Sequence, residues 1–387
     1  AHYFRQNFSQ VTNPPIDPLR EAGAMSLKTR FKNLGNILAE EEAQTNVFVL
    51  DSPVLTTGMY ERMLDVVGAG STVVIDCSYP LPDLAQAGSD RVASDSHKDA
   101  DRPGAGLRTA LDRIRDEAEA AVRGGCGLIV VTDERASEGR ISVPMILAAA
   151  GVHGRLTDTG LRSFVSIVVR SSEVLEPHGF AVLIGVGATA VNPWLAQELF
   201  QERLDRGGYP GLTLRDACLN YKSALEAGLM KTLARKGISI ISAYRGGCEF
   251  EVLGLSRAVT AEFFPGAPSR ISGIGLAGLE RAAIQRHAAA WTEAVPCPAI
   301  GGFFRIRAGQ EAHAYEAKTI HLLQDACNRG DYPRFKQYSE AVRDQPDLAP
   351  RDLLDWREGL TPVPIQEVES VSDIRKRFLT PGMSLGA

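Results

Sequence analysis

The sequence is poor in cysteine and histidine, the residues that form disulfide frameworks and most zinc and iron–sulfur sites. It contains six cysteines and seven histidines among 387 residues, and neither type is clustered. The cysteines lie at positions 77, 126, 218, 248, 297 and 327. This spacing contains no Cys-x-x-Cys pair, so it excludes a local zinc or iron–sulfur motif and does not predict a disulfide framework. Cys77 and Cys126 adjoin apolar runs, where a thiol is typically a small buried side chain.

The sequence also lacks an excess of positive charge and any long apolar run. Its net charge is −5 and its pI is about 5.9. No dense run of Lys and Arg is present, which argues against a nucleic-acid partner and against binding to an anionic membrane surface. No apolar run approaches the roughly 20 residues that a membrane-spanning helix needs. The first residues lack the layout of a signal peptide, so we expect a cytoplasmic protein with no membrane partner.

Short runs of β-branched residues recur along the first two thirds of the chain. They lie at 46–50, 72–76, 127–132, 164–169, 188–191 and 238–241. Several are apolar at consecutive positions, which is typical of parallel strands covered by helices on both faces. Between two of these runs, Leu107, Leu111, Ile114, Ala118 and Val122 recur at three-to-four-residue spacing and predict an amphipathic helix.

The order of these runs indicates the fold class. Weaker strands near 250–252 and 270–273 bring the strand count close to eight. The pattern therefore favours an α/β fold with an incomplete or degraded (βα)8-barrel-like domain, and a doubly wound open sheet is the second choice.

Polar residues follow most of the predicted strands. In a βα barrel, the carboxyl ends of the strands form the rim that carries the active site. The alternative function for this chain is that of a free-standing barrel-like enzyme. Its rim residues would be Asp133, Arg170, Tyr244 and Arg245. They also have a simpler interpretation, because loop carboxylates usually face solvent and rim arginines usually pair with a neighbouring acid.

Two further motifs give weak signals. Residues 273–278 have the Gly-x-Gly-x-x-Gly spacing of a dinucleotide-binding loop, but a poor strand precedes them and no second strand with an acidic end follows. His178 lies on an apolar segment, where a lone histidine usually packs through a hydrogen bond. The sequence contains no Gly-x-Ser-x-Gly elbow, Walker-type loop or His-Glu-x-x-His motif. The residues alone therefore identify no catalytic set.

The two ends and one internal stretch depart from the alternating pattern. Residues 82–106 lack apolar periodicity and predict a mobile surface insertion. Residues 301–307 predict a short hairpin, and charged helices follow at 315–327 and 334–342. The chain begins without Met and ends in a strand-like apolar stretch. We therefore expect a processed chain or an excised piece.

The opening of the chain contains three prolines in five positions, at 14, 15 and 18. Proline fixes its own φ and pushes the preceding residue toward extended conformations, so this stretch is neither a helix interior nor a central strand. We expect a stiff, irregular coil that serves an interface.

The proline-rich opening and many later stretches carry a family resemblance. The similar stretches lie at 9–21, 25–27, 33–36, 141–147, 152–153, 183–195, 220–222, 231–242, 244–246 and 268–275. Together they closely resemble the central domain of the glutamate synthase large subunit. After about residue 300, the chain resembles the approach to the FMN domain of that family, and residues 381–384 resemble the first strand of that domain.

The resemblance implies two regions and a parent enzyme. Residues 1–300 would form the central connecting domain, and residues 301–387 an irregular α+β strap that leads into the truncated start of the FMN synthase domain. The parent enzyme would convert glutamine, 2-oxoglutarate and a reductant into two glutamates. Its glutaminase and FMN synthase domains, in the same polypeptide, are the implied partners, and a small flavoprotein subunit or ferredoxin would supply electrons. FMN and a 3Fe-4S cluster are implied for the parent enzyme, and this segment holds neither of them complete.

The resemblance also implies roles for individual residues. The segment would connect the two catalytic domains and help to channel ammonia, with Thr12, Asn13 and Met25 near the path. Met383 and Ser384 would be cofactor-binding residues at the incomplete start of the FMN barrel. No catalytic residue and no metal ligand is expected in this segment. A pure protein-binding module is the third interpretation.

Overall fold

A computed structural model describes most of the chain. The described residues are 1–7, 20–31, 38–45, 47–82, 104–291, 306, 307, 309 and 312–378. They divide into two compact units, the first ending at Trp291 and the second lying after it. The predicted insertion at 82–106 and the predicted hairpin at 301–307 fall almost wholly outside the described residues. Among the described residues, no helix is long and apolar enough to cross a membrane.

Strands and helices alternate through most of the first unit. Its strands are β1 (Phe4–Gln6), β2 (Thr29–Phe31), β3 (Phe48–Leu50), β4 (Thr72–Asp76), β5 (Ser78–Pro80), β6 (Leu128–Thr132), β7 (Arg140–Ser142), β8 (Ser166–Arg170), β9 (Ala190–Asn192), β10 (Phe250–Val252), β11 (Gly254–Leu255) and β12 (Gly273–Ile274). Its helices are α1 (Glu21–Ala24), α2 (Thr57–Val67), α3 (Ala105–Arg123), α4 (Met145–Asp158), α5 (Pro177–Gly185), α6 (Trp194–Asp205), α7 (Leu214–Lys236), α8 (Ile241–Tyr244), α9 (Arg257–Phe263) and α10 (Leu276–Ala290). Short 3₁₀ turns lie at Glu42–Thr45, Ala69–Ser71 and Arg162–Phe164.

A parallel sheet in the order β4-β6-β8-β9 forms the centre of the first unit. Every residue of β6 and of β8 is buried. Alternate positions face two separate cores, since Ile129 and Val131 belong to the larger core whereas Leu128 and Val130 belong to the smaller one. A sheet that is covered on both faces explains why these strands are apolar at consecutive positions. The predicted mixed α/β class with parallel strands is confirmed.

Helix α3 covers the larger core. The five residues that predicted an amphipathic helix are all buried on it, namely Leu107, Leu111, Ile114, Ala118 and Val122. The opposite face of α3 forms ion pairs, including Arg113–Glu117 and Arg123–Glu119. The 3.6-residue period of the sequence therefore corresponds to one buried face and one solvated face.

Four predicted strands lie elsewhere than in the parallel sheet. The run at 46–50 forms β3, which pairs antiparallel with β2 in a separate two-stranded sheet. Residues 238–241 form only an isolated bridge between Ser26 and Ile240, and α8 begins at Ile241. Strand β10 pairs antiparallel with β1, and β12 pairs with β11. One further parallel bridge, Val54–Val191, extends the sheet beyond β9. Within the described residues, the sheet therefore has four strands and does not close into a barrel.

The second unit contains two adjacent helices and a long exposed stretch. Helices α11 (Ala317–Arg329) and α12 (Tyr332–Arg343) match the two helices predicted there. Gly330 ends α11 in the left-handed region with φ of 65°, and the Asp331 side chain accepts a hydrogen bond from the Arg334 N–H at the start of α12. Two 3₁₀ turns (Pro350–Leu353 and Ile365–Glu367) and α13 (Val371–Arg375) follow.

Candidate functional site

Two of the predicted rim residues lie at the carboxyl edge of the parallel sheet. Arg170 is the last residue of β8, and Asp133 directly follows β6. Because Thr132 pairs with Arg170 in the parallel register, the ends of these neighbouring strands come together. Both side chains are largely buried, with Asp133 1% exposed and Arg170 8% exposed.

The Asp133 carboxylate is saturated with hydrogen bonds. It accepts from the Ser172 N–H at 2.8 Å, from the Ser172 hydroxyl at 2.8 Å and from the Trp194 indole N–H at 2.8 Å. The Ser171 hydroxyl adds a longer contact at 3.3 Å. These bonds join the turn after β8 to the start of α6. A carboxylate whose acceptor sites are filled by protein donors stabilises the fold and has little capacity left for substrate.

Arg170 is paired in the same way. Its Nε and one terminal nitrogen donate to the two Glu134 oxygens at 2.9 Å each, and its other terminal nitrogen donates to the Asn192 side-chain oxygen at 2.6 Å. The guanidinium also lies over the Tyr60 ring, 4.8 Å from its centroid. The hydrogen bonds from Arg170 hold the pKa of Glu134 below its usual range. The bidentate fork of this arginine thus binds an internal carboxylate.

An open pocket of about 370 Å³ lies beside this cluster. Asp133, Glu134, Ser172, Trp194 and Trp291 are among its lining residues. Its two carboxylates are the ones already bonded to Ser172, Trp194 and Arg170. The pocket therefore offers aromatic walls but no acid or base with a free hydrogen-bonding position.

The other predicted residues lie around the opening of the chain. Tyr244 is fully buried, and its hydroxyl exchanges hydrogen bonds with the Gln6 amide at 2.9 and 3.1 Å. Burial raises the pKa of Tyr244 to about 12. The Lys236 ammonium donates to the Asn7 carbonyl oxygen and, at 2.9 Å, to the Glu249 carbonyl oxygen. Residues 236–250, which we call the anchor loop, therefore hold residues 6 and 7.

The anchor loop also holds the chain just after the proline-rich segment. The Ser26 N–H donates to the Ser239 carbonyl oxygen at 2.8 Å, and the Ile241 N–H donates to the Ser26 carbonyl oxygen at 3.0 Å. Met25 is 7% exposed and belongs to the larger core. Thr12 and Asn13 lie outside the described residues, as do Met383 and Ser384. The two ends of the segment that contains Thr12 and Asn13 are thus attached to one loop.

Arg245 lies in a half-buried, positively charged cluster that the sequence did not indicate. Its guanidinium donates to the Thr29 hydroxyl at 3.4 Å, and burial lowers its pKa. Nearby, Arg162 donates to the His153 Nδ1 at 2.9 Å and to the Gly187 carbonyl oxygen at 2.8 Å. Burial first, and then the charges of Arg162 and Arg245, lower the pKa of His153 to about 4. His153 is therefore a neutral hydrogen-bond acceptor at neutral pH.

A glycine completes this cluster. Gly246 has φ of +75°, and a Cβ at this position would lie 3.0 Å from the His153 Nε2. Both the backbone conformation and the contact favour glycine. The Thr29 hydroxyl beside Arg245 donates to the carbonyl oxygen of Thr189, the residue before β9, and the Gly246 N–H donates to the Ile184 carbonyl oxygen. Arg245 and Tyr244 therefore lie toward the amino ends of the parallel strands. The structure therefore separates them from Asp133 and Arg170, and the four residues do not form one rim site.

The weaker motifs have structural explanations. At the Gly-x-Gly-x-x-Gly motif, strand β12 pairs only with β11 and its two residues are exposed. The His178 Nε2 lies 3.3 Å from the Ala1 carbonyl oxygen, and this contact ties α5 to the start of the chain. Within the described part of the chain, no group of three His, Cys, Asp or Glu side chains is placed to hold a metal ion. The cysteines described there are free thiols.

The acceptor positions of the Asp133 carboxylate are filled by donors of the fold, so we predict that Asp133 has a structural role. Asp133→Asn replaces an acceptor oxygen with an NH₂ group that faces N–H and O–H donors. We expect the free energy of unfolding to fall by about 2 kcal/mol in urea titrations. Glu138→Gln, an isosteric change of an exposed carboxylate on the same loop, should stay within about 0.5 kcal/mol of the wild type. An Asp133→Asn chain as stable as the Glu138→Gln chain would contradict this role.

The low pKa of His153 predicts a pH dependence of stability. The folded chain favours the neutral imidazole, since the pKa falls from 6.5 to about 4 on folding. The contribution of His153 is therefore fully present above pH 6.5 and is lost as the pH falls toward 4. His153→Asn retains an acceptor near Nδ1 but cannot titrate, so its urea midpoint should fall less steeply between pH 6.5 and 4. Identical slopes for both chains would refute the assignment.

Comparison with known proteins agrees with the resemblance of the sequence. The family model described as the glutamate synthase central domain matches residues 1–256, and the model described as a conserved region in glutamate synthase matches residues 313–387. The NADPH glutamate synthase large chain of Azospirillum brasilense is 49% identical over 386 residues, and that of Bacillus subtilis (strain 168) is 34% identical over 387 residues. The ferredoxin-dependent glutamate synthase of Pyropia yezoensis is 32% identical over 397 residues.

These relatives are much longer than the chain. Each match covers all of this chain but only 24% of the relative. Among solved structures, mandelate oxidase with benzoyl-formic acid is 18% identical over 34% of this chain and 35% of its own, with a TM-score of 0.27. A similarity that low supports no conclusion about the fold or the activity. The family models and the sequence relatives show that the chain belongs to the glutamate synthase family and spans about a quarter of the length of its large-chain relatives.

Proposed function

We propose that the chain is the connecting segment of a glutamate synthase. The parent enzyme converts glutamine and 2-oxoglutarate, with a reductant, into two glutamates, and this segment joins its glutaminase domain to its FMN domain. The matches at 1–256 and 313–387 support this assignment. The internal pairing of Asp133 and Arg170 agrees with it, because a connecting segment needs a stable body but no catalytic set.

We propose further that the proline-rich segment forms part of the wall of an ammonia path, with Thr12, Asn13 and Met25 near it. The observation that carries this proposal is the attachment of both ends of the segment to the anchor loop, through Lys236 and Tyr244 on one side and Ser26 on the other. Fixed ends and proline-fixed φ angles would keep the proposed passage at constant width. The buried Met25 side chain offers an apolar surface that does not bind ammonium.

The two regions of the chain and the cofactors of the parent enzyme complete the proposal. Residues 1–300 would be an incomplete or degraded (βα)8 domain, and 301–387 the strap that leads into the FMN domain, with Met383 and Ser384 in its first strand. The described residues do not fit a 3Fe-4S cluster, since the cysteines among them are scattered free thiols. The cluster, and the FMN site apart from Met383 and Ser384, would belong to other parts of a cytoplasmic enzyme, which takes electrons from a small flavoprotein subunit or from ferredoxin.

Enlarging Met25 tests the ammonia path in the full-length enzyme. Met25→Phe would narrow the passage, so we expect glutamine hydrolysis to continue while glutamate formation from 2-oxoglutarate falls several-fold and free ammonium appears. The measurement is the ratio of ammonium released to glutamine consumed. Leu27→Phe is the matched control, because Leu27 is 8% exposed in the same core but is not a path residue. Met25→Phe enzyme that stays coupled and releases no ammonium would show that Met25 does not line the path.

A further inference from the structure

A second pocket, of about 610 Å³, lies within the first unit, and we call it the three-helix pocket. Its walls are the start of α2, the middle of α6 and the start of α7. None of the residues of the Asp133 and Arg245 clusters lines it. It is larger than the pocket of about 370 Å³ beside Asp133, and its volume is typical of sites for small molecules. The three-helix pocket therefore has room for a ligand of ordinary size.

Two contacts between helices hold the walls of the three-helix pocket. The Thr57 N–H at the start of α2 donates to the Gln197 side-chain oxygen on α6 at 2.8 Å. The Phe200 ring of α6 packs edge-on against the Tyr221 ring of α7, with the ring centroids 5.2 Å apart. A pocket whose walls are already fixed binds a ligand at a lower cost in conformational entropy.

Part of the lining is apolar and incompletely covered. Cys218 lies at the base, with 8% of its surface exposed. Leu214 and Leu219 line the same pocket but are 36% and 42% exposed, and Met59 is half-buried. Removing apolar surface from water is favourable, so a ligand with an apolar body gains free energy by covering these side chains.

The charged part of the lining is mainly positive. Arg62 from α2 and Arg215 from α7 both line the three-helix pocket. Within the described residues, neither guanidinium forms an ion pair or a hydrogen bond. The carboxylate next to Arg215, that of Asp216, accepts a hydrogen bond from the Thr213 hydroxyl at 2.6 Å instead. One carboxylate, Glu198, is among the described lining residues. Two guanidinium forks are therefore available to bind a carboxylate or a similar anion.

We propose that the three-helix pocket binds a small amphipathic anion, a molecule with one carboxylate head and an aliphatic body. The head binds to Arg62 and Arg215, and the body covers Met59, Leu214 and Leu219. An inorganic anion would leave the apolar lining in water, and a neutral apolar molecule would leave both guanidiniums without a partner. The combination of the two linings therefore selects an amphipathic anion. This inference goes beyond the connecting role and does not depend on it.

Photoaffinity labelling of the full-length enzyme with a diazirine-bearing octanoate tests the proposal. We expect adducts on peptides that contain residues 56–62, 197–201 or 214–219, which line the pocket, and protection by unlabelled octanoate. 1-Octanol has the same body without the charge, so it should need a concentration about tenfold higher for equal protection. Acetate has the head without the body and should not protect at that concentration.

Substitutions in the full-length enzyme assign the two linings. Arg62→Met and Arg215→Met remove one charge each at exposed positions, and each should raise the half-protecting octanoate concentration about tenfold. Gly58→Phe should abolish labelling of the pocket, since a Cβ at this lining position meets no heavy atom within 4 Å and the ring fills open space. Arg235→Met is the matched control, because this exposed arginine lies about 30 Å further along α7 than Arg215.

Other results would overturn the proposal. Adducts outside these peptides, or adducts that unlabelled octanoate does not reduce, would show that the three-helix pocket does not bind this class of ligand. Equal protection by 1-octanol and octanoate, or equal protection of the Arg62→Met, Arg215→Met and Arg235→Met enzymes, would show that the arginines bind no anionic head. No labelling of the pocket at all would show that another part of the enzyme closes it.

Discussion

The attachment of two distant parts of the chain to residues 236–250 is the constraint on which the arrangement of the first unit depends. The buried Tyr244 hydroxyl and the Lys236 ammonium hold residues 6 and 7, and the backbone of Ser239 and Ile241 holds Ser26. Burial raises the pKa of Tyr244 and lowers that of Lys236, because it disfavours the charged form of each group. Closing a long loop costs conformational entropy, and these bonds offset that cost at both ends of the proline-rich segment.

The sheet edge shows how a surface that resembles an active site can serve stability instead. Parallel α/β sheets usually carry function at the carboxyl ends of their strands, and this sheet places Asp133 and Arg170 there. Their hydrogen bonds are made to Ser172, Trp194 and Glu134, within the fold. The carboxylate of Asp133 and the guanidinium of Arg170 are thus occupied by partners within the fold.

Local patterns in the sequence predicted most of the central elements, and long-range contacts limited the rest. The strands near 72–76, 127–132 and 164–169 and the helix over Leu107–Val122 follow from short-range periodicity. The run at 238–241 has the same apolar character, yet Ile240 makes one bridge and Ile241 begins a helix, because the chain there contacts Ser26 instead of the sheet. The Arg162–His153 bond and the Asp133–Trp194 bond join residues whose proximity exists only in the folded chain.

Isotope dilution in the full-length enzyme tests most directly whether the anchor loop holds the wall of an ammonia path. The enzyme would receive amide-¹⁵N glutamine, 2-oxoglutarate, a reductant and an excess of unlabelled ammonium. The account predicts that the wild-type enzyme transfers undiluted ¹⁵N to glutamate, and that an enzyme with Tyr244→Phe and Lys236→Met dilutes the label toward the bulk value while still hydrolysing glutamine. Undiluted label in the substituted enzyme, or dilution already in the wild type, would contradict the account.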